Sequence, residues 1–321
     1  MIRKKAAVAA VALASAFVFA SSAASASATT VVPIRHLPWS EQTVFALAPD
    51  RSYIAEWNGL GQGWTIIGGA AQQVYAGSAG VFKVDLSGNI WIYNGTPNSW
   101  TQIGGPGYQF AEAAGHLYGI APDKSYVAAW NGLAQGGWTI IGGAASQIAV
   151  GGAGLVALSP NRDAISLYDG APGQWTQIGG GAWDISVDAR GIYRTDTVPD
   201  TIEQWIGGTS WETIGSGSAG VSIAADGPVG LFAYGVGPAG DDPTGNAQYE
   251  YNGTPGSWTK VGVGTPTGLE TRAVSRTYVF GVTTDINSDS TGIATSVELY
   301  TGGENWTVIG GPAYKVIAAG D

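Results

Sequence analysis

One unit repeated along the chain constrains the fold more than any other feature. A tryptophan followed by Thr or Glu, and then by a branched apolar residue and glycine, recurs at Trp64, Trp100, Trp138, Trp175, Trp211, Trp258 and Trp306. The spacings are 36, 38, 37, 36, 47 and 48 residues. A fixed period in this range signals an array in which no unit can bury its apolar face alone. A longer echo links Ala48–Ala71 to Ala121–Ala145, both carrying APD, a basic residue, SY and WNGL. That echo points to duplication of a two-unit block.

Each unit offers four short β candidates. In the second they are Gln73–Ala76, Val81–Asp85, Ile90–Tyr93 and Trp100–Ile103. Alternating polarity, β-branched residues and flanking glycines favour strands over helices. With 51 glycines in 321 residues, a helical bundle is disfavoured, since glycine weakens helix interiors by about 1 kcal/mol relative to alanine. Asn94-Gly95, Asn131-Gly132 and Asn252-Gly253 fall between third and fourth strands and suit tight hairpins.

Antiparallel four-stranded sheets repeated radially build a β-propeller, so the expectation is an all-β, seven-bladed propeller over residues 43–321. The repeated tryptophans are expected to fill the space between blades. The C-terminal GGPAYKVIAAGD matches the first strand of a unit and then stops, whereas Val44–Leu47 matches a second strand. Ala313–Gly320 is therefore expected to supply the innermost strand of the blade that starts near Val44, closing the ring and removing two sheet edges.

Residues 1–28 read as an export signal: Arg3-Lys4-Lys5, an apolar run from Ala6 to Ala20, and Ala-x-Ala sites ending at Ala26 and Ala28. The run is shorter than the roughly 20 apolar residues needed to span a membrane. A secreted, extracellular protein without membrane insertion is expected, with 29–42 as a lead-in. The formal net charge is −10, and three of its 14 cations lie in the leader, so nucleic acid is a poor partner.

The Trp-x-x-Ile-Gly strand, the V-x-A-G strand and the following strand resemble tectonin-type and tachylectin-like repeats from about Val44 to Asp321. The units are also similar to propeller modules of secreted streptomycete proteins. The resemblance implies a carbohydrate-binding lectin without catalysis. It also implies, as an alternative, a protein-interaction platform or targeting subunit of a secreted umbrella-type toxin complex.

Catalytic chemistry has little material. The chain has no cysteine, and its two histidines, His36 and His116, form no metal-binding pair. No G-x-S-x-G elbow is present, and no enzyme or cofactor is expected. Sugar recognition needs an apolar platform beside directional hydrogen-bonding groups. The turns between second and third strands supply Asp50, Arg51 and Tyr53, and again Asp123, Lys124 and Tyr126. Inter-blade connections on the same rim supply Gln73, Tyr108, Gln109 and Gln147. Trp57, Trp91 and Trp130 on third strands complete the candidate set, with packing between blades as their competing role. The duplicated sets suggest several shallow pockets for surface glycans.

The last two units carry insertions, Val236–Asn246 and Thr284–Ala294, which would rise from one rim on neighbouring blades and offer a protein-docking surface. Asp285, Asn287 and Asp289 resemble the opening of a calcium loop, but Ser290 replaces the usual glycine and Ser296 the final glutamate. A polar turn is the competing reading there.

Overall fold

A computed structural model describes residues 44–196, 201–225, 231–236, 247–263, 272–274, 279–284, 294–302 and 305–318. Contacts divide the chain into residues 1–34 and 35–321, and every described residue belongs to the second unit. The leader, the lead-in, residues 237–246 and the calcium candidates Asp285, Asn287 and Asp289 lie outside the described residues.

The described regular structure is all strand. β1 (Val44–Leu47), β2 (Tyr53–Trp57) and β3 (Trp64–Gly69) open the array. The second unit is β4 (Gln73–Gly77), β5 (Gly80–Val84), β6 (Asn89–Tyr93) and β7 (Trp100–Pro106). β8 (Gln109–Ala113), β9 (His116–Ile120), β10 (Val127–Trp130) and β11 (Trp138–Gly142) form the third. The fourth comprises β12 (Gln147–Gly151), β13 (Gly154–Leu158), β14 (Ile165–Tyr168) and β15 (Trp175–Gly179). Next come β16 (Asp184–Val187), β17 (Ile192–Thr195), β18 (Thr201–Gly207) and the long β19 (Ser210–Ala225). β20 (Leu231–Val236), β21 (Ala247–Tyr251) and β22 (Trp258–Val263) follow. The last are β23 (Arg272–Val274), β24 (Val279–Thr284), β25 (Ala294–Gly302), β26 (Asn305–Gly310) and β27 (Lys315–Ala318).

Antiparallel four-stranded meanders recur: β4 to β7, β8 to β11, β12 to β15 and β23 to β26. The first sheet has the order β27-β1-β2-β3, with Val44 opposite Ala318 and Leu47 opposite Lys315. One sheet departs from the expected four strands. β16 to β22 form a seven-stranded sheet because β19 runs through two units. Elsewhere a Gly-Gly pair marks the end of the strand, as at Gly68-Gly69 and Gly142-Gly143, whereas Gly215-Ser216-Gly217 continues extended. Pairing jumps from Gly217↔Val236 to Ser222↔Tyr234, so the connection is absorbed as a bulge.

Each apolar cluster is shared by two neighbouring units. Phe45, Leu47 and Ile54 of the first pack on Val74, Val81 and Tyr93 of the second. Val156 and Leu158 of the fourth meet Ile185 and Ile192 of the fifth. Val297 and Leu299 of the seventh pack with Val44 and Trp57 of the first. Burying one such side chain stabilises by about 1.5–3 kcal/mol, and a thin sheet obtains this on both faces only between neighbours.

The repeated tryptophan carries a directional contact as well. Trp100 Nε1 donates to the Ile67 carbonyl at 2.9 Å, Trp138 to Ile103 at 2.8 Å and Trp175 to Ile141 at 2.7 Å. Trp211 donates to Ile178, Trp258 to Ile214 and Trp64 to Ile309. Each acceptor lies three residues after the preceding repeat tryptophan, which explains the branched residue of the motif. The following glycine has an equally plain reason. A Cβ on Gly68, Gly142, Gly179 or Gly310 would sit 2.7–2.9 Å from the indole nitrogen of the next unit.

In four units the residue after the tryptophan and the Asn-Gly turn form a second repeated link. Thr65, Thr101, Thr139 and Thr259 donate their hydroxyls to Asn58, Asn94, Asn131 and Asn252. Only the glycine of each pair adopts positive φ, for example +80° at Gly95 and +82° at Gly132. The asparagine is there for its side chain.

Candidate functional site

The turns between second and third strands share one rim with the connections that enter each unit. Arg51, Lys124 and Arg162 occupy equivalent turn positions, donating N–H to Ala48, Ala121 and Ser159 carbonyls at 2.8–2.9 Å. Their own carbonyls accept from Ala71, Ala145 and Ala182 in the next connection. This geometry puts them at φ of +60°, +63° and +59°. The second unit has Gly88 at that position, with φ +88°. Left-handed backbone costs a non-glycine residue roughly 1–2 kcal/mol, so three units tolerate strain that the second avoids.

In the first and third units the cation lies over an aromatic ring of its own unit, and Arg162 of the fourth lies over a ring of the fifth. Lys124 Nζ is 3.8 Å from the Tyr108 centroid, the Arg51 guanidinium 3.9 Å from Tyr314, and the Arg162 guanidinium 5.5 Å from Trp183. These rings are exposed to 50%, 40% and 64%, which leaves a face for a further partner. Tyr108, Tyr314 and Trp183 occupy the same place in their connections, where the second unit has Gln72. The second unit thus lacks both groups, while the fourth, which carries Arg162, has Ser146 at the aromatic position.

Tyr53 and Tyr126 stand exposed at the far side of the same turns. Asp50 Oδ1 accepts from the Ser52 hydroxyl and amide, and Asp123 from Ser125 in the same way. Those bonds hold both carboxyls below the usual aspartate range. Beside Tyr126 a small recess of about 170 Å³ is walled by Gly107, Phe110, Ile120, Pro122 and Trp138.

A larger cleft, about 540 Å³, opens between the fourth and fifth units under Asn161, Arg162, Gly180, Trp183, Arg194 and Asp196. Arg194 donates Nε to Glu203 Oε2 at 2.6 Å and Nη1 to the Gly181 carbonyl at 3.2 Å. Behind the cleft, Asp184 accepts from Gln147 Nε2, and burial is the main influence that raises its carboxyl above the usual range.

The sequence-derived set divides. Tyr108 and Lys124 are brought together, and Asp50, Arg51 and Tyr53 share one turn, as do Asp123 and Tyr126. Trp57 is 5% exposed in the core between the seventh and first units. Trp130 packs edge-on against Phe82 at 5.6 Å. Both face a repeat tryptophan across the hairpin, Trp57 opposite Trp64 and Trp130 opposite Trp138, where Tyr93 and Tyr168 stand in other units. They are packing residues. Trp91 lies two residues before the corresponding position, Tyr93, and gives its indole N–H to Asp85 at 2.8 Å.

Gln109 is also structural, donating to the Ile148 carbonyl and accepting the Ile148 N–H at 2.8 and 2.9 Å. Gln147 bonds Asp184 and the Ile185 carbonyl. Gln73 opens β4 half-buried, paired through its backbone with Val84. Missed in the sequence were Tyr314, Arg162 and Trp183. Alignment of the connections on Tyr108 and of the turns on Lys124 would have found all three. Among the described residues, no group of three or more His, Asp and Glu side chains could hold a metal ion.

Comparison with solved structures bears on the fold. Two structures of AztD from Citrobacter koseri align with TM-score 0.55. Identity is 10% over 87% of this chain and 98% of AztD in one, and 9% over 86% and 97% in the apo structure. The fold is of the β-propeller type. PorZ from Porphyromonas gingivalis aligns at TM-score 0.45 and 13% identity, covering 83% of this chain and 43% of PorZ. No protein-family model matches the sequence. No curated protein matches it either. At such identities the likeness concerns fold alone.

Proposed function

We propose that this chain is a secreted, seven-bladed propeller, closed by β27 on β1, that binds glycans on one rim without catalysing a reaction. Closure is supported by the β27–β1 pairing, the core shared by first and seventh units, and the Trp64–Ile309 hydrogen bond.

The observation that carries the binding role is the repeated rim constellation: a left-handed Arg or Lys stacked on an exposed Tyr or Trp. Pyranose rings present C–H faces that suit such aromatics, while their hydroxyls suit Arg, Lys, Asp and Asn. Exposed aromatics beside strained cations cost stability, and a ligand supplies a reason to keep them. Repeated weak sites on one rigid body raise affinity for a glycan-coated surface through effective concentration.

A glycan array of the mature protein tests this reading. Saturable binding is expected, weakened by Tyr53→Ala and by Tyr126→Ala. Silence across the array overturns it and favours the protein-docking alternative.

A further inference from the structure

We infer that the cleft between the fourth and fifth units is a subsite for an uncharged pyranose ring, stacked on Trp183; this rests on the glycan-binding reading above. Trp183 is 64% exposed, the highest value among the exposed large apolar side chains of the described residues. Eight other tryptophans, among them Trp64, Trp91 and Trp205, donate their indole N–H to acceptors within the chain. Trp183 makes no such bond among the described residues. A platform with a free donor at its edge is thus held open in a cleft that Arg162, Asn161 and Asp196 also line.

The charges of the walls select the ligand. Arg194 is neutralised by Glu203 at 2.6 Å, so it stiffens the wall without attracting an anion. Arg162 and Asp196 both line the cleft, and the whole chain carries −10. A uronate or sulfated sugar would meet Asp196 and that overall charge. A neutral sugar can give hydroxyl protons to Asp196 and accept from Arg162 and Asn161. The cleft, about 540 Å³, falls within the usual range for small ligands.

Two glycines on the wall separate binding from folding. A Cβ on Gly181 would meet the Arg162 carbonyl at 2.7 Å, whereas one on Gly180 meets nothing within 4 Å. Gly180→Met therefore fills the cleft without straining the sheet.

The test is ¹⁹F NMR of the mature chain labelled with 5-fluorotryptophan, the Trp183 resonance being assigned by its loss in Trp183→Phe. The probes are methyl glycosides of glucose, galactose and mannose, with methyl glucuronoside as the charged comparison. A neutral glycoside is expected to shift the Trp183 resonance saturably, with affinity changing less than about twofold between roughly 0.05 and 0.5 M salt. Gly180→Met should abolish that shift and leave the other resonances in place. A shift produced by the glucuronoside alone overturns the inference. So does neutral-sugar binding that bypasses Trp183, although glycan recognition itself would then stand. No response to any probe, together with a silent array, removes both.

Discussion

Trp64 donates its indole N–H to the carbonyl of Ile309 at 2.8 Å, joining residues 245 apart in sequence. The bond repeats the contact that ties Trp100 to Ile67 and Trp138 to Ile103. The contact between Trp64 and Ile309 is thus of the same kind as those between consecutive units.

If the seam is an ordinary interface, Trp64→Phe and Trp138→Phe should lose equal stability. Each removes one hydrogen bond and leaves a partly buried carbonyl short of a donor, a loss of about 1–2 kcal/mol. Denaturant melts check this. A much smaller loss at Trp64 would mean that the two ends do not hold each other.

The Gly-Gly pairs make a sharper test. Gly310→Ala places a Cβ 2.9 Å from Trp64 Nε1, while Gly311→Ala meets nothing within 4 Å. The first should destabilise by about 1–3 kcal/mol and the second by less than about 0.5 kcal/mol. Gly68 with Gly69, and Gly142 with Gly143, should show the same contrast in thermal unfolding.

Much of this was legible in the sequence because strand period and turn glycines are local signals. β4 and β6 begin within a residue of expectation. Reading Gln109 and Gln147 as ligand contacts failed because their partners, Ile148 and Asp184, belong to the next unit, some 40 residues on. Trp57 and Trp130 misled for a related reason. Their place is an aromatic position of the repeat, usually tyrosine, so an indole there is a substitution within the core. Arg162 and Trp183 escaped notice because they come from different units and meet only when two sheets pack side by side.

Lys124→Gly separates strain from binding. Glycine relieves the left-handed penalty, roughly 1–2 kcal/mol, but loses a cation–π contact of about 0.5–1 kcal/mol and gains unfolded-state entropy worth about 0.4–1 kcal/mol. Stability should stay within about 1 kcal/mol of the parent on this balance, while sugar binding falls. Melting and array intensity, measured on the same preparation, check both halves.

Asp188 gives a pH signature. It is fully buried, its Oδ1 accepts from Arg190 and Gly191 N–H, and Oδ2 has no hydrogen-bond partner among the described residues. Burial, the main cause, raises its carboxyl above the ordinary 3.8. Because the folded-state value is raised, the contribution is complete below the ordinary 3.8 and is lost as pH rises through the higher folded-state value. Asp188→Asn should therefore melt higher than the parent at neutral pH, and the advantage should vanish near pH 3. An advantage independent of pH would contradict the assignment.

Calorimetric titration with a glycan that the array selects reads out whether sugar is held at the cation–aromatic sites on one rim. Tyr314→Ala, Tyr108→Ala and Trp183→Ala should each lower the measured stoichiometry or affinity, and the triple variant should bind nothing while melting like the parent. Undiminished binding by the folded triple variant would contradict that placement of the sugar.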